Sequence, residues 1–167
     1  MGYDLPAAIG GCIASSKEVL CITGDGSIMM NLQELQTIVH YNLPVKIILF
    51  SNDGYNAIRQ TCKNFFNGTF IGCNKDTGVS FPDFEKIASA YGFQYKKCSK
   101  NNDVYKSLEW VFNTKGQLLL EIEQRLDDPV TPKVTSRLKE DGTFETPVLQ
   151  DMAPFIDREE YDSLMLW

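Results

Sequence analysis

The sequence predicts an α/β protein of three-layer α/β/α type, with a mainly parallel sheet and an extended C-terminal arm. Three observations lead there. Short apolar runs alternate with stretches of helical spacing through residues 1–125. Two of those runs end in glycine-containing polar turns, as buried parallel strands do. Beyond residue 125, Pro129, Pro132, Pro147 and Pro154 interrupt any long element. A chain of 167 residues with 43% hydrophobic content can bury its own core. Residues 1–125 therefore read as one domain and residues 126–167 as a Pro-rich, acidic arm ending in a short helix.

Residues 3–15 form a small-residue helix, with Asp4 as N-cap and Pro6 tolerated in its first turn. The run 18–23 is a short buried strand that ends at Gly24-Asp25-Gly26. Helical spacing returns over 28–41, with Leu32, Leu35, Ile38 and Val39 on one face. A second apolar strand, 45–50, ends at Ser51-Asn52-Asp53-Gly54, and 55–66 is helical. Residues 67–80 have no period and read as a loop, mobile near a ligand. A capped amphipathic helix follows over 82–91. A strand at 93–98, a helix at 103–112 with Val104, Leu108 and Val111 inward, and a buried strand at 117–122 complete the alternation.

Charge narrows the function classes. Residues 1–125 carry 12 Lys/Arg and 12 Asp/Glu, whereas residues 126–167 carry 4 and 10, so the net charge of −6 belongs to the arm. With no basic stripe, nucleic acid is not an expected partner. No apolar run reaches the roughly 18–20 residues that span a bilayer, and no secretory leader is seen, so a soluble, cytoplasmic protein without a membrane partner is expected. The five cysteines contain no Cys-x-x-Cys pair, and the single histidine cannot complete a Cys/His metal set. Reduced, buried thiols are expected, with His40 at a helix end rather than acting as a base.

The chemistry is expected at the carboxyl ends of the strands, where ligands of doubly wound sheets bind. Asp25 and Asn52 are 27 residues apart, the length of one strand-helix unit. If their strands are neighbours, a carboxylate and an amide oxygen converge at one sheet edge. Mg²⁺ takes oxygen ligands and commonly uses one or two carboxylates, with carbonyls, phosphates and water supplying the rest. The glycines flanking Asp25 admit an anion close to the backbone, and a helix starting near Ser27 aims N–H groups at it. Either turn alone is ordinary; the pair at this spacing points to a diphosphate bridged to a metal. The third glycine of a dinucleotide fingerprint is absent.

These residues resemble the signature of thiamine diphosphate (ThDP)-dependent enzymes, in which Gly-Asp-Gly-(Ser/Ala) precedes an Asn by 25 to 30 residues. The stretches MGYDLPAAIG (1–10), GDGSIMMNLQEL (24–35) and NLPVKIIL (42–49) resemble the large-subunit acetolactate synthase group. The resemblance implies a C-terminal diphosphate-binding domain with ThDP and Mg²⁺ as cofactors. Asp25, Asn52 and the Gly54 carbonyl would be metal ligands. Met1, Gly24, Gly26, Ser27 and Tyr55 would join Asp25, Asn52 and Gly54 around the cofactor, with Met1 at the position of the apolar side chain that bends it. No catalytic residue is assigned within this chain, because the activating glutamate of the family lies in another module.

The chain is thus expected to be one module of a larger carboligase or 2-keto acid decarboxylase, a homodimer or homotetramer in full length and inactive alone. Ala57 and Thr61 stand where acetolactate synthases tend to carry Met and Trp, which implies a roomier or more polar acceptor. Arg59 and Gln60 could bind a carboxylate or sugar hydroxyls; Gln60 is the better candidate, since an Arg on an amphipathic helix is more often a solvated surface residue. The arm resembles acetolactate-synthase-like proteins of surface-polysaccharide sugar pathways. The alternative is a non-catalytic nucleotide-binding or regulatory module that kept the fold.

Overall fold

The computed structural model describes residues 1–125, 131–139 and 141–165. Pro129 of the arm and the expected boundary after residue 125 lie outside or at the margin of these. The chain divides into two compact units, Met1–Asp128 and Pro129–Trp167.

The first unit is built on four parallel strands: β1 (Val19–Gly24), β2 (Val45–Ser51), β3 (Gln94–Cys98) and β4 (Leu118–Glu123), in the order β1-β2-β4-β3. The helices are α1 (Asp4–Ser15), a single turn α2 (Asp25–Ile28), α3 (Glu34–His40), α4 (Asn56–Phe65), α5 (Phe84–Tyr91) and α6 (Val104–Asn113). Alternation of side chains across the strands separates two cores. Val45, Ile47 and Leu49 of β2 and Leu119 of β4 meet buried residues of α1, α3 and α5. Ile48, Leu118 and Leu120 point the other way, to Val111 of α6, with Val104 and Leu108 packed alongside. Burial on both faces explains why β2 and β4 read as continuous apolar runs. Lys46, 3% exposed within β2, is paired with Glu18 at 3.0 Å.

The second face is open at β1, where Leu20 and Ile22 are exposed while Cys21 is buried beneath α1. All five cysteines are free and buried, and His40 closes α3, both as the sequence indicates. Among the described residues no helix is long and apolar enough to cross a membrane.

Three local expectations change. The helix expected over 28–41 is interrupted between α2 and α3, where i→i+3 bonds such as Asn31 N–H to Ile28 carbonyl (3.2 Å) replace α-helical ones. Those tight turns keep Leu35 and Ile38 on the buried face. Asp4 lies inside α1 rather than capping it; its carboxylate accepts from the Leu5 N–H at 2.9 Å and from the Thr23 hydroxyl, tying α1 to β1. The loop over 67–80 contains a 3-10 turn at Lys75–Thr77, closed by a reciprocal Asn74–Thr77 capping box.

The second unit carries the expected final helix, α7 (Arg158–Leu164), capped by Asp157. It also holds a short antiparallel pair, β5 (Arg137–Leu138) with β6 (Phe144–Glu145). Asp151, 6% exposed, accepts from both guanidinium Nη atoms of Arg158, at 2.7 and 2.9 Å. This bidentate pair gives a short segment a polar anchor in place of a large core.

Ile47 lies at the centre of the first core and is fully buried. Ile47→Ala is expected to lower stability by about 2–5 kcal/mol, read as a shift in urea midpoint with unchanged m-value.

Candidate functional site

Parallel pairing of β1 with β2 sets Gly24 opposite Phe50. Asp25 follows one residue later and Asn52 two residues later, so both turns leave the same sheet edge, as the 27-residue spacing predicts for neighbouring strands. The Asp25 side chain joins them. Its Oδ1 accepts from the Gly26 N–H at 2.7 Å, and its Oδ2 accepts from the N–H groups of Asn52 at 2.9 Å and Asp53 at 2.8 Å. Asp25 is only 3% exposed. Burial pushes its carboxyl above the usual range, and the backbone donors, which pull it down, offset only part of that shift.

Asn52 contributes a different feature: its side-chain Oδ1 is buried and has no hydrogen-bond partner within the protein. A buried amide oxygen without a donor is costly, and such orphaned atoms commonly meet an ion or water. Among the described residues no cluster of three His, Cys, Asp or Glu side chains converges. A cation here would therefore draw on one carboxylate, one amide oxygen and a backbone carbonyl. That donor set suits Mg²⁺ that brings phosphate oxygens with it, and not a dedicated all-protein cage.

Close backbone approach explains two glycines. A β-carbon on Gly26 would collide with the Cδ1–Cε1 edge of the Tyr55 ring, which packs edge-on against Phe81 with centroids 6.1 Å apart. One on Gly54 would stand 2.5 Å from the Cys73 carbonyl oxygen and 3.1 Å from Arg59 Nη1. Gly54 also bridges Asn74 in antiparallel fashion, and the Tyr55 N–H donates to the Cys73 carbonyl at 2.9 Å. The segment read as a mobile loop thus walls the Asn52-Asp53-Gly54 turn.

On the other side, the Gly2 N–H donates to the Ser27 hydroxyl oxygen at 2.9 Å, and the Asn31 amide donates to the Gly2 carbonyl. Ser27 still has its own O–H to donate. Met1 is anchored beside the Gly24-Asp25-Gly26-Ser27 turn through Gly2, with its side chain 72% exposed. Gly24, Asp25, Gly26, Ser27, Asn52, Gly54 and Tyr55 are therefore grouped around the ends of β1 and β2. Ala57 and Thr61 are exposed on α4 and Gln60 is half-buried.

Arg59 corrects the sequence reading. It is 3% exposed, not solvated, and lies on the buried side of α4 with Cys62. The i, i+3 pairing of Arg59 with Cys62 was the available signal for this. Asn31 reaches the Gly2 carbonyl through its side-chain amide, and Cys73 and Asn74 meet Tyr55 and Gly54 through their backbone, contacts that the spacing of residues does not announce.

Comparison with known proteins adds an independent line. A family model described as thiamine pyrophosphate enzyme, C-terminal TPP binding domain, matches residues 1–122. The acetolactate synthase large subunit of Cyanidium caldarium is 38% identical over 122 residues, covering 72% of this chain and 20% of that protein. The acetolactate synthase isozyme 2 large subunit of Escherichia coli (strain K12) is 37% identical over 123 residues, covering 73% and 22%. This chain spans about a fifth of the length of these relatives. Among solved structures, the thiamine diphosphate-dependent 4-hydroxybenzoylformate decarboxylase of Rhodococcus jostii RHA1 matches with a TM-score of 0.67 and 28% identity, covering 77% of this chain and 24% of that one.

The crowding at Gly26 is testable without any ligand. Gly26→Ala is expected to destabilise by about 1–3 kcal/mol through overpacking, and the loss should shrink in the Gly26→Ala/Tyr55→Ala double variant when both are compared by chemical denaturation. Equal losses with and without the Tyr55 ring would refute the contact.

Proposed function

Because the chain belongs to the thiamine pyrophosphate enzymes through their C-terminal TPP binding domain, we propose that it anchors the diphosphate of ThDP and a Mg²⁺ ion at the ends of β1 and β2. The observation that carries this is the buried, unpartnered Oδ1 of Asn52 beside the turn held by Asp25. Asp25, Asn52 and the Gly54 carbonyl would hold the metal. Gly24, Gly26, Ser27 and Tyr55 would line the diphosphate, with Met1 beside the cofactor.

When bound, the cofactor supplies the carbonyl chemistry, and the protein binds and orients it. Asp25 fixes the two turns relative to each other through three backbone N–H groups and brings the negative charge a dication needs. Asn52 offers an oxygen that has already lost its water. The Ser27 hydroxyl, having accepted from Gly2, has a proton to share with an anionic oxygen. The small residues Ala57 and Thr61 would leave room on α4 for a substrate group larger or more polar than a second pyruvate, and Gln60 would bind it.

In the whole enzyme this module would serve a carboligase or decarboxylase acting on a 2-keto acid, a cytoplasmic homodimer or homotetramer, with a role in surface-polysaccharide sugar synthesis. Exposed Leu20 and Ile22 on β1, and Phe65 and Phe66 at the end of α4, support contact with further protein. The module alone should show no turnover.

Calorimetric titration tests the anchor. The chain should bind ThDP in the presence of Mg²⁺, and Asp25→Ala should abolish that binding. Mg²⁺ alone should give no saturable signal, since only one charged ligand is present. No heat from ThDP and Mg²⁺ together at neutral pH would reject the proposal.

The pH dependence has a definite sign. Burial raises the Asp25 carboxyl, so the ligand-free fold takes up this proton more readily than the unfolded chain and gains stability as pH falls through that range. Metal binding needs the ionised form, so its affinity should fall over the same range, beginning at higher pH than for an ordinary aspartate. Titrations at several pH values, paired with ligand-free melts, should show the two trends running in opposite directions.

A further inference from the structure

We infer that Asn31, together with Ser27, is a positioning residue for Met1: the pair fixes the backbone at Gly2 and so sets the direction in which Met1 faces the cofactor. This rests on the diphosphate anchor proposed above, and adds to it a means of recognising the part of the cofactor beyond the diphosphate. Peptide units are planar, so the path of the chain through a residue is set by the two planes that flank it. At Gly2 both planes are held. The Gly2 N–H, in the plane shared with Met1, donates to the Ser27 hydroxyl oxygen at 2.9 Å. The Gly2 carbonyl, in the plane shared with Tyr3 just before α1, accepts from the Asn31 side-chain amide. Between them Gly2 is buried and left-handed, with φ +77°, a conformation that glycine adopts at little cost. A β-carbon there would stand 2.7 Å from Met30 Cβ and 3.2 Å from Asn31 Nδ2.

The residue held in this way is an apolar one in the open. Met1 is 72% exposed, next to the Gly2 N–H that Ser27 holds, at the turn proposed to cradle the diphosphate. An exposed thioether beside an anion cradle suits a ligand with a ring-bearing body on its diphosphate, since methionine sulfur packs well against aromatic rings. A backbone already fixed lowers the ordering cost of that contact. Ser27 links the two ends. Its hydroxyl accepts from Gly2 and keeps its proton for an anionic oxygen, and hydrogen bonds in a chain strengthen one another. Diphosphate at the turn would therefore tighten the hold on Gly2. The Asn31 amide donates to Gly2, and its Oδ1 accepts from Gln33 Nε2 at 3.3 Å. Removing that donor should alter recognition of the rings and spare the grip on the diphosphate.

The test uses the 167-residue chain and its Asn31→Asp variant, which keeps the size of the side chain but loses the donor. Each is titrated by calorimetry, in Mg²⁺, with ThDP and with methyl diphosphate, which has no rings, while the methionine methyl groups are followed by NMR. Asn31→Asp is expected to bind ThDP about 3–10-fold more weakly than the native chain, the range that one lost hydrogen bond gives, and methyl diphosphate within about twofold of native. ThDP should move the Met1 methyl signal of the native chain, methyl diphosphate should not, and the shift should shrink in Asn31→Asp. Equal losses for the two ligands would overturn the inference, because they would leave Asn31 a purely structural residue; so would a ThDP affinity within about twofold of native. If Asn31→Asp does not fold, Asn31→Ala decides by the same comparison. A Gly2 N–H that exchanges with solvent as fast as in an unstructured peptide, in the ligand-free native chain, would refute the hold on Gly2 outright. Native chain that binds both ligands with Met1 unmoved refutes this role and leaves the anchor standing. Native chain that binds neither refutes the anchor, and the inference falls with it.

Discussion

The Asp25 carboxylate accepts hydrogen bonds from the backbone of both turns at the end of the sheet, from Gly26 on its own strand and from Asn52 and Asp53 on the next. Everything proposed for the site depends on that junction. It requires β1 and β2 to be adjacent and parallel, with Gly24 level with Phe50, since a shift of one residue would carry the Asn52 N–H out of reach. It also places a carboxylate where burial works against its charge. A charge kept in such surroundings by backbone dipoles is poised for a cation that can share it.

Around this junction the structure trades side-chain volume for close approach. Gly26 admits the Tyr55 ring, and Gly54 admits the Cys73 carbonyl and the Arg59 guanidinium where a β-carbon would stand. Gly26 and Gly54 are thus explained by what crowds them. The sheet beneath is rigid because β2 and β4 bury both faces against separate cores. Rigid strands carrying tightly packed turns hold donor atoms in place before a ligand arrives, which lowers the ordering cost of binding it. The open face of β1, with Leu20 and Ile22 exposed, marks where the compact unit is incomplete as a three-layer structure.

Much of this was legible in the sequence, for identifiable reasons. The strands β2 and β4 appear as apolar runs because they are buried on both faces, which leaves little room for polar residues, whereas β3 is polar at its exposed positions and β1 is open on one face. The pairing of Asp25 with Asn52 follows from the length of one strand-helix unit. Other features were hidden. The break between α2 and α3 leaves no trace in the hydrophobic period, because the tight turns keep Leu35 and Ile38 on the same face. Arg59 reads as a surface residue because the segment that buries it, around Cys73 and Asn74, has no periodicity of its own. Its contacts run through carbonyl and amide groups, which every sequence possesses.

The central claim, that Asp25 and Asn52 jointly hold a divalent cation against a diphosphate, is most directly tested by diffraction from crystals of the chain grown with Mn²⁺ and ThDP. An anomalous difference peak within about 2.0–2.3 Å of an Asp25 carboxylate oxygen and of Asn52 Oδ1, the usual span for small divalent cations bound to oxygen, is the result expected. Bound ThDP with no peak there, or with the metal held by other residues, would contradict it.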